Sequence, residues 1–353
     1  MYKVMSLWGF ILLSVLISIF TGVRSTGVGT DTEAYITYFY QSSIADGFYN
    51  RHEIGFSLLM QLFAKTISSV EVFFSFVAFT ITLAYLHTFR KVYSKCFFDK
   101  FPSTSVMTIF FSLLLFSSWY ITSTTNGLRQ GLSLVFLYWA IVELFYSSKI
   151  IKFIFLYVVA ISFHYSALLI FPFLFLHYLR FGHVFFIWVM VALGYIAGLN
   201  ELAVKILSEI LNLPVYAYVK YYSLEKGSEN LGGGLYEGFI ISFFLYTLFW
   251  PVLLLFVLKI KSSFKSKLAS TENIYILLKI YLLLSLVYFI MGFGPFSNRY
   301  ALFSWLLIPI MQIVIINLSL NLNSNRIVPF LVLFSSLIFF LYFRLDWIGF
   351  ILQ

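Results

Sequence analysis

The chain is expected to be an all-α, polytopic integral membrane protein, and three observations lead there. Hydrophobic residues make up 61% of the sequence and charged residues 10%, with a mean hydropathy of +0.95; a soluble domain carries about 25% charged residues. The apolar residues run in long unbroken blocks, not in the in–out alternation of a membrane β-barrel. The net charge of +9 comes from lysines and arginines gathered in short loops between those blocks. It is therefore a topology signal and not a nucleic-acid surface. No internal repeat, low-complexity tract or second soluble domain is visible, so residues 1–353 read as one transmembrane domain.

Taken in order, the apolar blocks fall near 4–22, 70–89, 104–121, 130–147, 150–163, 164–180, 184–199, 236–258, 274–292, 300–318 and 327–345. Most can cross about 30 Å of hydrocarbon. The first follows Lys3 and lacks a small-residue cleavage site, so it reads as an uncleaved span and not a signal peptide. Basic loops then set the sidedness. Arg90, Lys91, Lys95 and Lys100 mark one cytoplasmic loop, and Lys259, Lys261, Lys265 and Lys267 mark another. An even number of crossings must separate them, which makes 150–180 two short passes with His164 at the turn. Lys149, Lys152, Arg180 and Arg326 then also fall inside. The expectation is about eleven spans, with the N-terminus inside and the C-terminus outside.

Residues 54–67 are too short to span and read as an interfacial or re-entrant helix on the outer side. The one long outer loop, 200–235, opens with Leu202, Ile206, Leu207, Ile210 and Leu211 at helical spacing, the pattern of an amphipathic surface helix. Pro214, a tyrosine-rich stretch (Tyr216, Tyr218, Tyr221, Tyr222) and the run Gly232–Gly234 follow. The loop reads either as a lid over a substrate or as a plain connector, with the glycine run as a hinge. The single cysteine, Cys96, excludes an internal disulfide framework.

On this topology the outer side collects the ionisable residues that chemistry would use, and charge beside a bilayer is costly and usually functional. In GTDTEAY, Asp31 and Glu33 follow a flexible stretch, where Thr30 or Asp31 also suits a helix cap and Glu33 the helix dipole. In NRHEIGF, Arg51 and Glu53 fit either a site or an interfacial ion pair. In TTNGLRQGLS, Arg129 and Gln130 sit at the mouth of a span between Gly127 and Gly131. A guanidinium there suits bidentate phosphate binding, or simply snorkels. His164 interrupts about thirty apolar residues. Irregular backbone at that depth is tolerated only where it is buried or lines a cavity, and histidine can accept a hydroxyl proton near neutrality. Arg299 and Tyr300 open a span after a Gly-Pro break. Metal-ligand spacings, a nucleophile elbow, and phosphate-loop or dinucleotide fingerprints are missing from the sequence, so no metal and no cofactor is expected. His87, His177 and His183 read as cytoplasmic loop-end or core residues.

The order GTDTEAY, Arg-x-Glu-x-Gly-Phe, NGLRQGLS, SFHYSALL and NRYALF resembles the EpsG-like family of bacterial polysaccharide polymerases, which includes Wzy-type O-antigen polymerases. The resemblance covers nearly the whole chain; its most specific elements are LRQ and FHxSAL. It implies an inner-membrane glycosyltransferase that joins undecaprenyl-diphosphate-linked oligosaccharide units on the periplasmic side, one unit as donor and one as acceptor. It also implies a chain-length regulator as partner, alongside membrane lipid and without nucleic acid. Carried over residue by residue, it points to Asp31, Glu53, Arg129, Gln130, His164, Arg299 and Tyr300; Glu33 and Arg51 are added on chemical grounds. The expected roles are His164, Asp31 or Glu53 as general base, Arg129, Arg299 and Arg51 on the diphosphate, and Gln130, Tyr300 and Glu33 on sugar. Rival readings are a flippase or transporter of the same lipid-linked sugar, a membrane acyltransferase using His164, and a non-catalytic scaffold. A flippase would want ionisable residues near the midplane and paired halves with broken helices.

Overall fold

The computed structural model describes residues 2–49, 51–98, 101–221, 239–263, 269–294, 296–320 and 327–351, and among these every regular element is helical. The Gly232–Gly234 run, Tyr222, Lys100, Lys265, Lys267 and Arg326 lie outside the described residues. Among the described residues, five helices can cross a membrane by length and composition, or seven if two bent pairs each count as one span. The chain divides into two compact units, Met1–Leu168 with Arg326–Gln353, and Leu169–Asn325.

The first unit begins with α1 (Tyr2–Gly22), α2 (Thr32–Ile44) and α3 (Ile54–Thr66). The short α3, expected from 54–67, is present and leads at once into α4 (Val70–Cys96), which starts on a serine cap, Ser69 Oγ accepting from the Val72 N–H. Next come α5 (Thr104–Leu115), α6 (Ser118–Thr125), α7 (Leu128–Ser147) and α8 (Ile150–Phe163). The block at 104–121, expected as one span, is bent by 69° between α5 and α6. The cause is local: Ser117 accepts from the Tyr120 N–H and starts a new helix inside the apolar run. Between α7 and α8, Ser148 takes a left-handed conformation (φ 50°) and closes a tight turn. The break at His164 is also present: its backbone is extended (φ −160°, ψ 123°) after the last turn of α8. The unit's last helix is α17 (Ile327–Ile351).

The Tyr165–Tyr178 segment, two 3-10 stretches around the short α9 (Phe171–Leu174), runs from the first unit into the second, which begins at Leu169. It continues with α10 (Phe181–Ile196), α11 (Leu199–Ile210), α12 (Val215–Tyr221), α13 (Ile241–Ser263), α14 (Thr271–Met291), α15 (Ser297–Trp305) and α16 (Ile308–Leu320). The chain bends by 92° between α10 and α11, at Gly198, whose φ of +72° favours glycine. The Asn200 side-chain amide donates to the carbonyls of Val191 and Phe289 and so fastens that bend to α14. The apolar stripe of α11 faces away from protein: Leu202, Ile206, Leu207 and Ile210 are exposed, and only Val204 is buried.

Candidate active site

Three residues expected to carry chemistry meet in the first unit, each at a helix end. Glu53 is the residue before α3, Arg129 lies in the first turn of α7, and His164 follows the last turn of α8. One Glu53 carboxylate oxygen accepts from Arg129 Nη1 at 2.7 Å, and the other meets His164 Nδ1 at 2.5 Å. The Tyr165 backbone N–H also points at that second oxygen, at 3.4 Å. Tyr35, on α2, also accepts a hydrogen bond from Arg129. The Glu53 side chain is 6% exposed, against 26% for Arg129 and 27% for His164. The carboxylate is thus the buried hub, and the two bases around it keep part of their surface open.

Small residues make this convergence possible. A Cβ on Gly55 would lie 2.4 Å from Ser162 Oγ and 2.8 Å from the Ser162 carbonyl, so α3 packs directly on α8. A Cβ on Gly131 would lie 2.4 Å from the Ser123 carbonyl, so α7 folds tightly back on α6. We expect Gly55→Ala to push α3 away from α8 and to separate Glu53 from His164. The melting temperature of the purified chain should then fall while the protein still reaches the membrane, as thermal unfolding beside quantitative immunoblotting would show.

Electrostatics assigns distinct roles to the acid and the histidine. Burial alone would raise the Glu53 carboxyl, but the hydrogen bond and charge of His164 and the charge of Arg129 outweigh it and hold the group at about 2. An ionised Glu53 is an acceptor only, so the proton of their hydrogen bond lies on His164 Nδ1. Arg129 Nε is buried without a hydrogen-bond partner.

The other expected residues are placed as follows. Asp31 stands at the start of α2 without a side-chain cap bond, and its backbone N–H donates to Asn126 Oδ1 at 2.8 Å. The expected cap is thus positional only, while Glu33 does lie in the first turn. Thr30 Oγ1 also donates to Asn126 Oδ1, at 3.1 Å. Arg51 does not pair with Glu53: its guanidinium lies over the Tyr38 ring at 5.1 Å and donates to the Tyr38 hydroxyl at 3.3 Å. Gln130 is buried. In the second unit, Arg299 lies over the Phe296 ring at 4.8 Å, and Tyr300 packs on a cluster of Val204, Val219 and Phe293. That cluster joins α11 and α12 to the end of α14. The contact is close, since a Cβ on Gly294 would lie 2.3 Å from the Val219 carbonyl.

Sequence reasoning missed Tyr35, Arg24 and Asn126. Arg24 donates to the carbonyls of Thr21 and Thr125, both at 2.9 Å, and covers the Phe74 ring at 4.1 Å. With Asn126 it ties the α1–α2 connection to the turn that precedes Arg129. Tyr35 and Asn126 both stand inside motifs that were singled out, four residues after Asp31 and three before Arg129. Among the described residues no group of three or more His, Cys, Asp and Glu side chains is placed to hold a metal ion. Beside α3, Gly47, Phe48, Leu58, Gln61, Leu62, Lys65 and Thr66 line a mostly apolar groove of about 420 Å³.

The fold and this cluster define a multi-pass helical membrane protein with an acid–histidine–arginine constellation at the ends of three helices. The chain belongs to the EpsG family, whose model matches residues 7–350. No curated protein and no solved structure matches it. Family membership points to polysaccharide biosynthesis and to a polymerase-like glycosyl-transfer role.

Proposed function

We propose that this protein is an O-antigen or exopolysaccharide polymerase of the bacterial inner membrane. It joins undecaprenyl-diphosphate-linked oligosaccharide units on the periplasmic face, possessing one unit as donor and one as acceptor. The observation that carries the reading is the convergence of Arg129 and His164 on the buried Glu53, at 2.7 and 2.5 Å. His164 Nε2 takes the proton of an acceptor hydroxyl as its oxygen bonds to the anomeric carbon of the donor. The anomeric carbon–oxygen bond to the diphosphate breaks, and the electron pair leaves with the lipid diphosphate. Glu53 holds the imidazole in the right tautomer and stabilises the imidazolium that forms, the part a buried carboxylate plays beside a catalytic histidine. It is a poor base itself because its carboxyl is held at about 2.

Arg129 and Arg51 supply positive charge for the departing diphosphate, the kind of stabilisation that often dominates catalysis. Asp31, Glu33 and Gln130 take sugar hydroxyls. The apolar groove beside α3 suits part of a polyprenyl chain. The eleven-span topology, with residues 23–53 and 200–235 and the C-terminus outside, is part of this proposal and of the same reading.

Two measurements test it. In a deletion strain, surface-polymer electrophoresis should show the ladder collapse to a single repeat unit; an unchanged ladder would refute the function. A reporter fused after Gln353 should be active only on the outer side. Activity confined to the cytoplasm would overturn the topology.

A further inference from the structure

The α7–α8 pair carries a second charged cluster at its other end. Glu143 lies on α7, 14 residues from Arg129, which is about 21 Å along a helix. Its carboxylate is 2% exposed and is held by lysines from two other helices, Lys152 of α8 at 2.6 Å and Lys91 of α4. The Trp139 indole N–H donates to the same carboxylate at 3.2 Å. Lys152 Nζ stands 5.1 Å over the Trp139 ring, and the exposed His87 ring lies tilted by 46° against that indole at 4.4 Å. Lys149, at the head of α8, is exposed, and its backbone N–H donates to the Glu143 carbonyl.

A lock between helices needs one cation for one buried acid. Here one carboxylate faces Lys91 and Lys152, with Lys149 beside it, so the cluster carries a surplus of positive charge. The surplus is open to the surroundings: the Lys152 side chain is 41% exposed. Below it, Ile151, Ile154, Phe155 and Val158 of α8 are exposed in a continuous apolar strip. A cationic mouth rimmed by an indole and set above an exposed apolar strip is complementary to a molecule with an anionic head and acyl chains.

We propose that this end of α7–α8 binds an anionic phospholipid. Lys149 and Lys152 take the phosphate, Trp139 and His87 flank the headgroup, and the acyl chains lie on Ile151, Ile154 and Phe155. Basic pockets between helices at the membrane boundary bind lipid headgroups by these means. The site is independent of the reaction proposed above, and it would tie the mounting of α7, and hence of Arg129 at its far end, to the lipid around the protein.

The test uses the purified full-length chain in neutral micelles, with phosphatidylglycerol, phosphatidylcholine or free glycerol phosphate added. Bound lipid is counted by native mass spectrometry and thermal unfolding is followed in parallel. Phosphatidylglycerol should bind and raise the melting temperature, and about 0.5 M salt should weaken the effect. Phosphatidylcholine and glycerol phosphate should do neither. Lys149→Gln should lower the affinity about fivefold, the worth of one lysine at a membrane surface. The variant Lys149→Gln/Lys152→Gln should lower it further. Lys149 holds no side-chain bond to Glu143, so the single variant decides even where the double variant does not accumulate. Equal binding of both lipids, or full binding by Lys149→Gln, would overturn the proposal. A response to glycerol phosphate equal to that of the lipid would show a soluble-anion site and would overturn the lipid assignment too.

Discussion

His164→Gln should reach the membrane at near-normal level and yet give short or absent polymer. Losing a general base typically costs about 10²–10⁴-fold in rate. Glutamine is the informative choice, since its amide can still donate to Glu53 but cannot take a proton in the working range. His164→Ala should give the same short polymer, with a somewhat lower membrane level, because the Glu53 carboxylate then loses one of its partners. Polymer length on gels, set against abundance by immunoblot, separates chemistry from folding. Normal polymer from His164→Gln would move the base elsewhere, to Asp31. Disappearance of both variants from the membrane fraction would make His164 a packing residue.

The two kinds of information in this site were unequally legible in the sequence. The members stood out singly, because a charged or imidazole side chain in an apolar block is conspicuous. Their pairing did not, since Glu53 is 76 residues from Arg129 and 111 from His164. Adjacency suggested Arg51 as the partner of Glu53. The turn into α3 instead sends Glu53 inward and leaves Arg51 on Tyr38. Short helix α3 and the break at His164 were readable from apolar length and from the polar interruption. The bend at Ser117 had a signal, a serine inside an apolar run, but a serine in such a run more often back-bonds to its own helix. Here Thr122, Ser123 and Thr124 nearby do just that. Glu143 passed unnoticed because its partners Lys91 and Lys152 were read as cytoplasmic loop charges, whereas they stand on α4 and α8.

Glu53→Ala should be the most damaging single change for stability as well as for activity. It strands Arg129, three-quarters buried, beside a vacated carboxylate site, and breaking a buried pair from one side costs about 3–5 kcal/mol. Membrane abundance should therefore drop. Arg129→Ala strands the carboxylate in turn, but His164 still bonds to it, so its loss of abundance should be smaller. Glu53→Ala/Arg129→Ala should recover part of the abundance lost in Glu53→Ala, because no unpaired charge is left, and should still make no polymer. That non-additivity is the signature of a direct pair. Arg129→Lys should keep the charge and restore extension only in part, because an ammonium cannot serve Glu53 and a diphosphate with one planar fork. The pH dependence has a definite sign. A carboxyl held at about 2 in the fold, against about 4.3 when unfolded, stabilises fully above the unfolded value. That contribution is lost as the pH falls from about 4 towards 2. Thermal unfolding of the purified chain should show a steeper fall in that window than Glu53→Gln does. Equal pH profiles for the two proteins, or strictly additive losses of abundance across the cycle, would show that Glu53 is not the charged hub of the site.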